Sequence, residues 1–120
     1  MADRMLFIGW GQPVRGREER GLEVFDEAVG FYGRCQQEGR IESFDVALLA
    51  PSGTVDGYFA LRGSAEQLAA LREDETFQRI MIDAQLIVDD LCVVDGYANA
   101  GIARQMELYR DAIAKVPQAH

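Results

Sequence analysis

The residue types that could carry chemistry are concentrated between positions 41 and 63, in the stretch IESFDVALLAPSGTVDGYFALRG. Pairing about a Ser52–Gly53 turn places Asp45 diagonally opposite Tyr58 and Arg62. In a partly desolvated cavity, Asp45 could act as a general base that shares its proton with Tyr58. The alternative is an Asp45–Arg62 ion pair that holds an interface together, since buried charges require such partners. Both roles stay open at this point, and ion pairing is the commoner one.

Three further residues are candidates for lining a ligand site beside Arg62. Asp95 and Tyr97 alternate in the run LCVVDGYANAG at 91–101, and we expect them on the same sheet face as Asp45. Asp95 would then be a second acid near one cavity, or a solvated residue at its rim. Trp10 lies where the first strand gives way to a loop, so it would wall a pocket or anchor a core.

Several kinds of site are excluded by the composition. The only histidine is His120, which removes histidine-based catalysis and histidine-ligated metal or haem. Cys35 and Cys92 lie far apart without metal-ligand spacing, and reduced thiols in the cytoplasm are the simplest interpretation. The glycine-rich GWGQPVRG matches no nucleotide-binding fingerprint, and no oxygen-ligand loop occurs. We therefore expect no metal and no cofactor.

The charge and length of the chain limit its partners. With 120 residues, a net charge of −8 and a pI near 4.5, it reads as one acidic domain over 1–120. An acidic chain without a basic cluster is unsuited to nucleic acid or an anionic membrane. No apolar run reaches the roughly 18 residues of a membrane-spanning helix.

The elements that would position these residues follow from periodicity and capping signals. Met5–Gly11 is a β-prone run, and apolar spacings of three and four predict a helix from about Glu18 to Glu38. Ser64 with Gln67 forms a capping-box signature ahead of a helical region that REDE interrupts. A last helix, about 102–116, follows the strand at 91–101. Its apolar residues recur in alternating steps of four and three: Ile102, Met106, Tyr109, Ile113 and Val116.

The hairpin has one apolar face, which we expect to lie against helices: Phe44, Val46, Leu48, Gly57, Phe59 and Leu61. We expect the opposite face to mix acids with Ala47, Leu49, Ala60, Leu91, Val93 and Tyr97, while Cys92 faces the helices. Such a face is too apolar for open water, and a second sheet would cover it.

The order strand, helix, strand, strand, helix, strand is that of the ferredoxin-like α+β fold with one antiparallel four-stranded sheet. With its first strand MLFIGW and the segment DETFQRIMIDAQLIVDD, the chain resembles the dimeric α+β barrel proteins over about residues 5–100. That group includes cofactor-free mono-oxygenases of the antibiotic-biosynthesis type. The C-terminal helix lies beyond the shared unit.

This resemblance implies a homodimer whose sheets enclose a central space, with a pocket between sheet and helices in each subunit. The leading functional hypothesis is a barrel that binds a small organic molecule. A second hypothesis is a cofactor-independent mono-oxygenase or isomerase with Asp45 as base and Tyr58 or Tyr97 as proton donor. A third is a module whose task is association alone.

Overall fold

The computed structural model describes residues 2–117 and 119, so His120 lies outside the described residues. The elements follow the order β1, α1, β2, β3, α2, α3, β4, α4. The strands are β1 (Arg4–Trp10), β2 (Ser43–Leu48), β3 (Gly57–Gly63) and β4 (Cys92–Tyr97). The helices are α1 (Glu18–Gln37), α2 (Ala65–Glu73), α3 (Glu75–Gln85) and α4 (Ala100–Ile113). Among the described residues, none of the helices combines the length and apolarity needed to span a membrane.

One antiparallel sheet contains all four strands, in the order β2-β3-β1-β4. Helices α1, α2 and α3 pack on one face of this sheet, which confirms the predicted ferredoxin-like α+β class. The core lies between them, where Leu6, Ile8 and Leu61 of the sheet meet Val24 and Phe31 of α1. The other sheet face, called the open face below, carries no helix of this group.

The hairpin register agrees with the prediction. Ser43 pairs with Arg62, Asp45 with Ala60, and Ala47 with Tyr58. Phe44, Phe59 and Leu61 pack in the core as expected. Val46 and Leu48 are exposed instead, because β2 is the edge strand and the helices do not reach its far end.

The face assignment predicted for β4 is wrong. Asp95 pairs with Leu6 and Val93 with Ile8, which places Asp95, Val93, Leu91 and Tyr97 on the helix-covered side. Cys92 lies on the open face instead, where its sulfur neighbours Gly9. Both alternating sets of β4 are apolar, Leu91 with Val93 and Cys92 with Val94, so hydrophobicity alone does not decide its orientation.

Capping side chains mark the starts of α2 and α3, the two helices between β3 and β4. Ser64 and Gln67 form the predicted capping box at the start of α2. Asp74 stands between α2 and α3, where REDE predicts a break, and its carboxylate accepts a hydrogen bond from the Phe77 N–H at 3.1 Å. The same carboxylate accepts one from Arg40 at 2.6 Å, which links α3 to the end of α1.

Candidate functional site

A cavity of about 570 Å³ lies between the helix-covered face of the sheet and helices α1 and α3. This volume falls in the range of pockets that hold small organic ligands. Its lining residues come from β1, β2, β3, the two helices and the segment before β4, running from Ile8 to Leu91 along the chain.

Aromatic rings form one wall of the cavity. Trp10 lies 5.3 Å from Phe59 and 6.1 Å from Phe25 between ring centroids, and Phe25 stacks on Phe59 at 5.6 Å. Tyr32 meets Phe59 edge to face at 5.0 Å. Such offset and edge-to-face contacts hold the rings in fixed orientations, so the wall is rigid and preformed.

Gly57 sets the position of the Trp10 indole. The two residues are directly opposed in the β1–β3 ladder, and a Cβ at position 57 would lie only 2.6 Å from the indole. The missing side chain lets the indole lie over the neighbouring strand. A strand glycine opposite a tryptophan is the one sequence signal that could have indicated this arrangement.

A short ribbon beyond β1 closes one end of the cavity. The Trp10 carbonyl accepts a hydrogen bond from Asp56 N–H at 2.7 Å, and Gly11 N–H donates to the Asp89 carbonyl at 2.8 Å. Pro13 and Val88 then form an isolated bridge, and Val14 N–H donates to the Ile87 carbonyl at 2.8 Å. These bonds fix the turn after β1 against the segment that leads into β4.

The mouth of the cavity is apolar and accessible. Leu22, Leu48 and Leu49 line it and are exposed, with 73 % of Leu48 accessible to solvent. The polar side chains of the lining are few, and its carboxylates are Glu18 and Asp56. The cavity therefore combines apolar walls with negative charge.

Tyr32 is the lining residue with the most perturbed chemistry. It is fully buried, and burial raises the pKa of its hydroxyl well above the ordinary value of 10. Within the described residues this hydroxyl has no hydrogen-bond partner. Tyr32 is therefore uncharged over the physiological pH range.

Three of the predicted site residues come together on the open face rather than in this cavity. The Arg62 guanidinium donates a hydrogen bond to the Asp45 carboxylate, so these two form the predicted ion pair. Tyr58 stacks on Phe7 at 5.3 Å, and no hydrogen bond within the described chain joins it to Asp45. The predicted proton sharing between Tyr58 and Asp45 is thus absent from this geometry.

The remaining predicted residues occupy the helix-covered side of the sheet. Asp95 accepts a hydrogen bond from Arg72 of α2 at 2.9 Å, and Arg4 lies over the Tyr97 ring at 4.6 Å from its centroid. Neither residue lines the cavity, whereas Trp10 does. The expectation that one site unites Asp45 with Asp95 and Tyr97 is wrong, because the sheet separates them.

The two cysteines lie outside the cavity lining. Within residues 2–117 and 119, no group of three or more histidine, cysteine or carboxylate side chains is placed to hold a metal ion. Cys35 and Cys92 are both free, and burial raises the pKa of the Cys35 thiol. A raised pKa disfavours the reactive thiolate.

Comparison with known proteins places the fold. No protein-family profile matches the sequence, and no protein with a curated function matches it. A dimeric ferredoxin-like protein of unknown function from Jannaschia sp. CCS1 superposes with a TM-score of 0.63 at 15% identity, covering 79% of this chain and 99% of that one.

Two other similar structures have functional descriptions. A putative antibiotic biosynthesis monooxygenase from Chloroflexus aurantiacus gives a TM-score of 0.54 at 12% identity, over 80% of this chain and 93% of that one. SnoaB, a cofactor-independent oxygenase from Streptomyces nogalater, gives 0.50 at 14% identity, over 82% and 93%. At these identities the likeness establishes the shared ferredoxin-like fold and carries no activity across.

Proposed function

We propose that this chain is a homodimeric α+β barrel protein that binds a small, mainly apolar, ring-containing molecule in the cavity behind Trp10. The observation that carries the proposal is the aromatic wall of the 570 Å³ cavity, with Trp10, Phe25 and Phe59 in mutual contact. Rigid aromatic walls with few polar groups suit a ligand whose surface is mostly buried on binding.

Charge narrows the class of ligand further. The lining carboxylates are Glu18 and Asp56, and the whole chain carries −8. Such a field disfavours an anionic molecule near the cavity and favours a neutral or cationic one. The proposed ligand is therefore a neutral or positively charged aromatic compound.

A matched pair of fluorescent probes tests this class directly. N-phenyl-1-naphthylamine is neutral, and 8-anilino-1-naphthalenesulfonate carries a similar ring system with an added sulfonate. Trp10 is the only tryptophan, so its emission reports binding at the cavity wall. We expect saturable quenching of Trp10 by the neutral probe, with an affinity at least about tenfold higher than for the sulfonate. Equal affinities would contradict the charge argument.

A cavity-filling variant tests the location. Ala84 lines the cavity, and Ala84→Leu should reduce the affinity for N-phenyl-1-naphthylamine about tenfold by occupying its space. Ala69 lies exposed on α2, outside the lining, so Ala69→Leu is the control and should leave the affinity unchanged. Quenching that persists unaltered in Ala84→Leu would place the probe elsewhere and refute the cavity as the site.

Self-association is the second component of the proposal. The open face carries Phe7 stacked on Tyr58, together with Ala60 and Val94, beside the Asp45–Arg62 ion pair. An apolar centre with a charged pair at its side resembles the surface that a second sheet covers. The dimeric state of a similar structure supports this assignment. The two free thiols suit a reducing compartment, so we place the protein in the cytoplasm.

Catalysis is the alternative, supported by the likeness to a cofactor-independent oxygenase. In that case Asp45 and Tyr58 would act in the space between two facing sheets. They would not act in the cavity, where the acid beside Trp10 is Asp56. Association without ligand is the third role, and the Asp45–Arg62 contact supports it. The probe titration separates ligand binding from this last role.

A further inference from the structure

Helix α4 presents a narrow apolar stripe that the rest of the described chain leaves accessible. Ile102 is 51% exposed, Met106 is 44% exposed and Tyr109 is 62% exposed. Ile113 and Val116 continue the series in sequence. An exposed row of side chains of this size favours a partner, because covering them removes apolar surface from water.

The helix also projects from the folded body. The radius of gyration is 17.1 Å, with extents of 54 × 37 × 22 Å, whereas a compact chain of this length has about 14 Å. α4 meets the body near its start, where Gly101 packs so closely on the Asp3 carbonyl that a Cβ would overlap it. A helix of 14 residues is marginally stable alone in water, so α4 needs further packing.

The spacing of the stripe identifies the kind of partner. Its residues alternate in steps of four and three, an average of 3.5, which is the seam that packs against another helix. A helix that covers a sheet uses a broader stripe, as α1 does with Val24, Ala28, Phe31, Tyr32 and Cys35. The partner of α4 is therefore expected to be one helix.

Charge favours a second copy of the same helix. Residues 100–117 contain three basic and two acidic side chains, so this segment carries +1 while the rest of the chain carries −9. Two copies repel each other least where their α4 segments meet. A membrane surface fits poorly, since the polar face of α4 mixes both signs in Arg104, Glu107, Arg110 and Asp111.

We infer that α4 is an assembly helix whose Ile102–Met106–Tyr109 seam packs against α4 of a second copy. The inference rests on the self-association proposed above and specifies its geometry. An interface about a twofold axis joins the same surface of both copies, so an α4–α4 contact uses the same seam residues on each helix.

Two substitutions on the same helix test the seam. Met106 and Leu108 are both 44% exposed, but Leu108 lies off the stripe, so the pair is matched in exposure and differs in position. We expect Met106→Glu to raise the dimer dissociation constant at least about tenfold in sedimentation equilibrium, since a seam position would bury the charge. Leu108→Glu should change it less than about twofold.

Binding of N-phenyl-1-naphthylamine serves as the folding control, because its cavity is lined by residues 8–91 of one chain. Both variants should retain it. Equal effects of the two substitutions, or none from Met106→Glu in a dimeric protein, would overturn the α4 pairing while leaving sheet-mediated association standing. A wild-type chain that stays monomeric at all concentrations would refute both.

Discussion

At the scale of single residues, the sheet keeps two arginine–carboxylate pairs apart. Arg62 binds Asp45 on the open face, and Arg72 binds Asp95 on the helix-covered side. Both carboxylates are largely solvent-accessible in one copy, where such pairs contribute at most about 1 kcal/mol. The two pairs should differ in their contribution to stability only when a second copy covers the Asp45–Arg62 pair. Loss of water then makes each charge depend more strongly on its partner.

This contrast gives a residue-level prediction. Asp45→Asn should weaken dimerisation by about three- to tenfold, because Arg62 would be covered without a full countercharge. Asp95→Asn removes an equivalent charge outside the proposed interface and should leave the dissociation constant unchanged. Sedimentation equilibrium measures both. Were Asp45→Asn to abolish turnover of an identified substrate while the dimer stayed intact, Asp45 would be a base rather than an interface residue.

At the scale of elements, Asp74 joins three helices at one carboxylate. It caps α3, ends α2 and binds Arg40 beyond the end of α1. Burial opposes the charged form, but the hydrogen bonds from Arg40 and the Phe77 N–H outweigh it and hold the pKa of Asp74 below its ordinary 3.8. A carboxyl whose pKa is lowered by folding stabilises the native state at higher pH.

The sign of the shift predicts a pH dependence. The stabilisation by the Asp74 charge is fully present above pH 3.8, the ordinary value, and is lost as the pH falls through the lower folded pKa. Asp74→Asn keeps a good helix cap and removes only the charge, so it should cost about 0.5–1 kcal/mol at pH 7 after solvent screening. Urea titrations at pH 7 and pH 3 measure it. The deficit of the variant should shrink at pH 3, and a constant deficit would assign the effect to the cap.

The elements also explain how much the sequence could predict. The hairpin register is predictable because only one of its two faces is apolar, so a one-residue slip would mix the faces. The orientation of β4 is not, because the alternating set that contains Asp95 is the one that faces the helices. Arg72 of α2 binds that carboxylate, and this contact is not visible in the apolar pattern of the strand. The family resemblance implied a pocket between sheet and helices, but the lining residues were not predictable, because the cavity is a gap between side chains far apart in sequence. Only Trp10, at a strand end, was predictable among its aromatic residues.

At the scale of the whole molecule, one copy leaves two apolar surfaces uncovered. The open sheet face carries Phe7 and Val94, and α4 carries Met106 and Tyr109. Together with the extended shape, these surfaces are the ones that the proposed association of two copies would cover. The stability of such a unit depends on protein concentration by mass action.

Thermal unfolding should reveal this dependence. For unfolding coupled to dissociation, with about 0.7 kcal/mol of enthalpy per residue, a hundredfold dilution should lower the melting temperature by about 6 °C. Differential scanning fluorimetry at several concentrations measures the shift. A melting temperature independent of concentration would contradict an obligate dimer under those conditions.

The position of the cavity along the chain has a consequence for biosynthesis. Every residue that lines it precedes Cys92, so β4 and α4 leave the ribosome after the complete set of lining residues. Because a single domain folds as a unit, the cavity is completed when β4 joins the sheet beside β1, and all of its lining residues are available by then. The residues proposed to pair two copies, on α4, are the last of these elements in the chain, so an unfinished chain lacks that seam.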